Sequence, residues 1–255
     1  MIWAAIPVVT VGMAAISAAR ADEVQARSLF KAMSDYMVAQ NAISLEYDSL
    51  LEIVTRENQK LGLASSGTVT LNRPDKIRMT RTGGFANVEL VFDSKAVTLL
   101  GKNANLYAQV EVPGTIDNLV NVLRNKYLRP LPAADLLMSN PYDQLMPLVK
   151  DVKDLGSGVI RGVECDHLAF RTEEVDWQIW IAQGQSPYPC RYAITTTKIL
   201  GAPQYTIDVR SWKAGVEVAA DNFRAEIPSD ARRLVPEELA DFNELPGRFS
   251  TQGAR

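Results

Sequence analysis

Between Ser44 and Trp212 the chain is governed by a period of two. Polar and apolar residues alternate in short runs, and turn residues break the runs at regular intervals. In Ser44–Val54, Leu45, Tyr47 and Ser49 alternate with Glu46, Asp48 and Leu50, the pattern of a half-buried antiparallel strand. Further strand-like runs follow at Gly67–Asn72, Lys76–Thr82, Asn87–Phe92, Ala96–Leu100 and Leu106–Val112. Arg73-Pro74-Asp75, Gly83-Gly84, Asp93-Ser94 and Gly101-Lys102-Asn103 supply the turns between them. Strands resume at Gly158–Val163, Cys165–Arg171, Val175–Gln183, Cys190–Lys198 and Gln204–Trp212. An antiparallel sheet of about eleven strands cannot stay flat, and must curl, close or split.

Two segments break the period. Leu29, Phe30, Met33 and Met37 recur at helical spacing, which predicts an amphipathic helix over Glu23–Gln40. After Pro113-Gly114, Thr115 can cap a helix whose apolar stripe is Ile116, Leu119, Val120, Leu123 and Tyr127. Pro132 then sits where a helix begins, before Ala133–Met138, and Pro141 and Pro147 bracket a further short turn. These stripes must be buried, and the hollow of a curled sheet is the natural place. The expected fold is therefore mainly β (α+β): one strongly curved antiparallel sheet, an unclosed half-barrel, with helices lidding its concave face. One domain is expected over 22–228, with a helical insert at about 115–146 and a tail at 229–255 that is acidic from Pro236.

Residues 1–21 read as a signal peptide. Ile2–Ile16 is an uncharged run, and Ala19-Arg20-Ala21 is a small-residue cleavage site before Asp22. No Lys or Arg precedes the run, which is too short to span a bilayer comfortably. No cysteine lies near the cleavage point, so the mature chain is expected to be soluble in the periplasm, with no transmembrane segment. The 27 basic and 30 acidic residues give a formal charge of −3, which offers nucleic acid no basic surface. One histidine and two cysteines are too few for a structural zinc site unless carboxylates fill in, so no metal or other cofactor is expected. There is no G-x-S-x-G elbow, P-loop, G-x-G-x-x-G or H-E-x-x-H.

Three groups of residues stand out. Cys165 and His167 lie two apart on a strand and so share a face. A Cys-His nucleophile needs closer approach and a third, orienting group, so a structural histidine is the plainer reading. Cys165 and Cys190 are the only cysteines, and an oxidising compartment favours a disulfide between them. A plain meander opposes it by placing second-neighbour strands at about twice 4.8 Å, while Pro187 and Pro189 make the approach to Cys190 irregular. Trp177, Ile179 and Ile181 share one face of their strand and Gln178, Trp180 and Ala182 the other, so that strand is covered on both sides or faces a cavity.

The run Gly162-Val163-Glu164-Cys165-Asp166-His167-Leu168-Ala169-Phe170-Arg171, with Asp176-Trp177-Gln178-Ile179-Trp180-Ile181, resembles domain-of-unknown-function family 2092 of predicted periplasmic proteins. Arg73-Pro74-Asp75-Lys76, Tyr107-Ala108-Gln109-Val110, Leu131-Pro132-Ala133-Ala134-Asp135-Leu136-Leu137 and Pro203-Gln204-Tyr205 resemble it as well. Such proteins look like the lipoprotein carriers LolA and LolB, which implies an unclosed barrel with a helical lid over an apolar cavity. On that resemblance the chain is expected to be a non-catalytic periplasmic carrier or sensor of lipid or lipoprotein acyl chains. Leu119, Val120 and Leu123 of the lid, and Tyr47, Ile179 and Trp177 of the sheet, are the expected ligand-binding residues. The alternative is a protein–protein module of envelope assembly or stress sensing. Sequencing the N-terminus of material taken from the periplasm is expected to begin at Asp22, and a chain starting at Met1 would overturn the export reading.

Overall fold

The computed structural model describes residues 12–84, 86–215 and 223–235. Most of the expected signal run, and all of the tail from Pro236, lie outside the described residues. Helix α1 spans Gly12–Val38, so it begins well before the expected Glu23 and ends two residues before Gln40. The first meander is β1 (Ala42–Val54), β2 (Lys60–Asn72), β3 (Lys76–Gly83), β4 (Asn87–Phe92), β5 (Ala96–Gly101) and β6 (Leu106–Glu111). The second is β7 (Asp151–Ile160), β8 (Val163–Arg171), β9 (Val175–Ala182), β10 (Pro189–Thr196) and β11 (Gln204–Ala214). A two-residue strand, β12 (Arg232–Arg233), completes a single curved, unclosed sheet in the order β12-β6-β5-β4-β3-β2-β1-β11-β10-β9-β8-β7.

β2 begins at Lys60, seven residues before the expected Gly67, and two further strands differ from expectation for identifiable reasons. The run Gly158–Val163 is not one strand: it holds the hairpin turn between β7 and β8. Arg161 and Gly162 have φ of 52° and 84°, the two left-handed residues that a tight two-residue hairpin loop requires. The true β7 begins at Asp151, hidden in the sequence by a loop-like Gly156-Ser157-Gly158 and by a register shift between Asp154 and Ser157. β12 falls in the stretch expected to be tail. It pairs parallel with β6, and Leu234 beside it is buried in the main core.

The order of the strands dictates the path of everything else. The two meanders meet at the centre, where β1 pairs antiparallel with β11 from Ile43 opposite Ala214 to Leu51 opposite Tyr205. β6 and β7 therefore lie at or next to opposite edges of the sheet, and the chain between them must cross its whole width. It crosses over the hollow side, as helix α2 (Ile116–Asn125), a 3₁₀ turn (Ala134–Leu137), helix α3 (Pro141–Leu145) and a second 3₁₀ turn (Met146–Leu148). Thr115 caps α2 as expected, its side chain accepting from the Asn118 backbone N–H at 3.3 Å. Tyr127 lies beyond the helix end. Arg73, in the β2–β3 turn, donates to the carbonyls of Leu137 and Met138 at 2.9 and 3.2 Å and to that of Met37 at 3.5 Å. One guanidinium thus ties together the end of α1, the insert and the sheet.

α1 covers the β7–β9 arm from inside. Phe30 is fully buried, with its ring centroid 5.3 Å from that of Trp177, 5.4 Å from Phe170 and 5.9 Å from Tyr142. Trp177 also stacks on Phe170 at 3.8 Å. The Ser34 hydroxyl accepts from the Tyr142 backbone N–H at 3.1 Å and joins α1 to α3.

Gly67 shows how closely the inner surface is fitted. It pairs with Tyr47 on β1 and Arg81 on β3. A Cβ there would lie 2.0 Å from the Thr80 carbonyl oxygen and 2.6 Å from the Tyr47 phenol oxygen. The Tyr47 ring occupies the space that a side chain would need, and its hydroxyl donates to the Thr80 carbonyl at 3.0 Å. Gly67→Ala is expected to destabilise the protein by about 1–3 kcal/mol through overpacking, read as a lower midpoint in urea denaturation with an unchanged slope.

Candidate functional site

Inward-facing side chains of a curled sheet converge, and the core is filled only where helices reach. α1 fills the β7–β9 side with Phe30 and Met33. Over the centre of the sheet nothing equivalent descends from the described residues, and a partly open cavity of about 370 Å³ remains. Its wall on the first meander includes Leu45, Val69, Met79, Leu90 and Val110. The facing wall comes from β10 and β11, with Tyr192, Tyr205, Ile207, Val209 and Trp212. The roof is the end of α2 and the following loop: Leu123, Arg129, Leu131, Leu136 and Leu137. The roof loop is pinned by the Arg129 backbone N–H donating to the Leu123 carbonyl at 2.8 Å.

The lining is overwhelmingly apolar, with few polar groups. Tyr47 faces in, and burial raises its phenol above the usual range; Tyr205 raises it further, and the neighbouring Arg81 charge opposes them. Tyr192 is also raised by burial, with Asp135 adding to the effect. Both phenols therefore stay neutral at any physiological pH. Thr80, Arg81, Arg129, Tyr205 and the Trp212 indole are the other polar groups of the lining, and among the described residues no Asp or Glu lines the cavity.

Of the six expected ligand-binding residues, Tyr47 and Leu123 line this cavity and the other four do not. Leu119 and Val120 are 0% and 2% exposed, packed beneath α2 as ordinary core. Trp177 and Ile179 are buried under α1, where Phe30 takes the space a ligand would have used. All six turn inward, but a local stripe cannot tell the filled half of the hollow from the empty half. Arg81 and Arg129 escaped the sequence reading. The signal for Arg81 was present, because Ile77, Met79 and Arg81 fall on one phase of β3; for Arg129, in an irregular loop, there was none.

Cys165 and Cys190 are free thiols, so the expected disulfide is not formed. They are nevertheless neighbours, in a small core cluster with Ile160 and Ala182 on the side of the sheet facing away from the cavity. Cys165 pairs opposite Ala182 on the intervening strand, whose methyl leaves room above it. A register shift between Pro189 and Arg191 leaves Cys190 without an opposite residue and lets its thiol reach over to hydrogen-bond with Cys165. Burial raises both thiols above the ordinary cysteine range, the reverse of what a nucleophile needs. His167 is structural: its Nε2 lies 2.9 Å from the Gln178 Oε1 and its ring stacks on Trp180 at 4.0 Å. Among the described residues no group of three or more His, Cys, Asp or Glu could hold a metal ion. With both thiols buried and their ionisation suppressed, iodoacetamide at pH 8 is expected to modify neither in folded protein and both in urea. Prompt modification of Cys165 in folded protein would contradict the site geometry.

Among the described residues no helix is long and apolar enough to cross a membrane. No curated protein matches the chain. Among solved structures it is similar to an uncharacterised conserved protein from Thermus thermophilus, at 12% identity and a TM-score of 0.49 over 83% of this chain and 99% of that one. It is similar to a chain of the Pseudomonas aeruginosa MucA/MucB complex at 11% identity and a TM-score of 0.45, covering 79% of this chain but only 61% of that one. A LolA superfamily protein from Nitrosomonas europaea is similar at 8% identity and a TM-score of 0.37, over 78% of this chain and 97% of that one. The family model described as "Predicted periplasmic protein (DUF2092)" matches residues 26–235, and the chain belongs to that periplasmic family.

Proposed function

We propose that this protein is a periplasmic carrier or sensor that takes the acyl chain of a lipid or lipoprotein into the central cavity, without catalysis. The observation that supports this reading is the cavity itself: about 370 Å³ of unfilled space inside an otherwise well-packed core, walled almost wholly by apolar side chains. That volume lies in the range of small-molecule sites, which are mostly apolar with a few polar groups. Each methylene transferred from water contributes about 0.8 kcal/mol, so ten would contribute ~8 kcal/mol before association and ordering costs of several kcal/mol. The roof has points about which it can swing: Pro113-Gly114 before α2, with Gly114 at φ 117°, and Arg129-Pro130 after it.

The test is lipid extraction and native mass spectrometry of protein purified from the periplasm, followed by titration with a fluorescent fatty acid. Wild-type protein is expected to bind the probe. Leu123→Glu, which puts a charge in the roof, and Met79→Trp, which fills the floor, are each expected to weaken binding at least tenfold while the β-sheet circular dichroism is retained. Leu119→Glu, at a position with no cavity surface, is expected to unfold the lid. If folded wild-type protein binds no acyl probe and carries no lipid, the carrier reading falls and protein docking replaces it.

A further inference from the structure

The β1–β2 hairpin is longer than the strand beside it. β2 runs from Lys60 to Asn72, but β3 pairs only with Ser65–Asn72. At Gly83, opposite Ser65, the chain turns away: the Gly83 N–H donates to the Ala86 carbonyl at 2.7 Å and β4 begins at Asn87. Among the described residues no strand pairs with Lys60–Ala64 on that side. Five residues of β2 therefore present a free edge, in which every second N–H and C=O points away from β1. The other edges of the sheet are defended. β7 carries Asp151, Lys153 and Asp154, and is broken by a register shift between Asp154 and Ser157 with Gly156 at φ 81°. β6 is paired with β12. The β2 overhang has neither proline nor bulge, and its one charge, Lys60, is held by Glu52 of β1 at 3.1 Å. Its surroundings are apolar on both faces. On the inner face Leu61 and Leu63 are half-buried and lie opposite Ile53 and Leu51, and Leu51 lines the cavity. On the outer face Leu50 is 43% exposed and leans over Gly62, where a Cβ would meet its Cδ1 at 3.1 Å.

We propose that this edge binds a second copy of the chain, the two β2 overhangs pairing antiparallel about a two-fold axis through Gly62. The segment Lys60-Leu61-Gly62-Leu63-Ala64 is self-complementary. Turned about Gly62, it sets Leu61 opposite the partner's Leu63 on the inner face, and Gly62 opposite the partner's Gly62. Lys60 falls opposite the partner's Ala64, so no like charges face each other. On the outer face each Leu50 reaches over its own glycine toward the other copy, and the absence of a side chain at Gly62 lets the two meet. The paired backbones satisfy the free N–H and C=O groups, and the leucines on both faces lose contact with water. The two-fold is normal to the sheet, so both hollows open on the same side of one continuous sheet. Because Leu63 lies beside Leu51, the junction carries the apolar wall of one cavity toward the other. Five paired residues make a small contact, so association is weak, with a dissociation constant on the order of 10 μM. This pairing does not depend on what the cavity takes up.

The test is sedimentation equilibrium of the wild-type protein over a concentration series, with cysteine cross-linking to read the register. Wild-type protein is expected to pass from monomer to dimer as concentration rises. Leu50→Lys, a change at an exposed position, is expected to weaken dimerisation at least tenfold while the β-sheet circular dichroism is retained. Gly62→Cys places two thiols directly opposite each other, within the Cα separation that a disulfide spans, at the cost of displacing only the end of the Leu50 side chain. With diamide as oxidant it is expected to give covalent dimer at least tenfold faster than Lys60→Cys, whose two thiols lie on opposite sides of the axis. Lys60→Cys mixed with Ala64→Cys is expected to cross-link as Gly62→Cys does. Equal cross-linking of Gly62→Cys and Lys60→Cys overturns the proposal, because the dimer then uses another surface. Wild-type protein that stays monomeric at about ten times the expected dissociation constant also overturns it. In such a monomer, slow amide hydrogen exchange at Lys60–Ala64 assigns the edge to a segment of this chain, and fast exchange assigns it to the strand of a different protein.

Discussion

The pairing of β1 with β11 is the constraint on which the rest of the structure depends. It joins the first strand of one meander to the last strand of the other, over a ladder from Ile43 opposite Ala214 to Leu51 opposite Tyr205. With the two meanders joined at the centre, the strands that flank the insert, β6 and β7, are carried to opposite sides of the sheet. The connection cannot be a hairpin. It has to cross the sheet, and it crosses on the side where apolar residues need covering. The helical insert is a lid because strand order leaves it no other path. Long-range pairing of this kind is costly in loop entropy, and it is repaid only when the full sheet and its covering helices are in place.

The hollow is divided rather than uniformly filled. On the β7–β9 side α1 lowers Phe30 against Phe170 and Trp177, and an aromatic cluster closes the space. On the other side the insert is fastened by the Ile116 backbone N–H donating to the Pro74 carbonyl at 2.9 Å at the start of α2, and by Arg73 reaching the Leu137 and Met138 carbonyls further on. Between those fastenings the roof spans a gap that no described side chain fills. The cavity is thus a product of how two covering elements of unequal bulk share one curved surface.

On the outer face the ions are paired: Arg171 grips Asp176 through two bonds at 2.8 and 2.7 Å and lowers that carboxyl's pKa. The buried carboxylate Glu89 is held by Arg78 and Lys102. Exposed pairs such as Arg171 with Asp176 add little stability, and their effect is to keep the outer surface polar.

The sequence by itself determined most of the strands and their turns, and the two faces of β1 and β9, because a period of two is a local property of the chain. It also determined the α2 stripe and its Thr115 cap, through helical spacing and a side-chain oxygen placed to receive the Asn118 N–H. It failed where the local pattern was ambiguous, as at Gly158–Val163, where a tight turn interrupts an apolar run, and at Arg232–Arg233, two residues too few to show a period. Only the tertiary structure decided which inward residues are core and which line a cavity. Leu119 and Leu123 belong to the same stripe, yet only Leu123 borders empty space. Trp177 and Tyr192 both face in, yet only Tyr192 borders the cavity. The distinction rests on the volume of what lies opposite, a sum over residues far apart in the chain. For the same reason Cys165 and Cys190 could be identified as a pair from sequence, while their lying side by side across a strand depended on a one-residue register shift at Cys190 and on the small side chain of Ala182 between them.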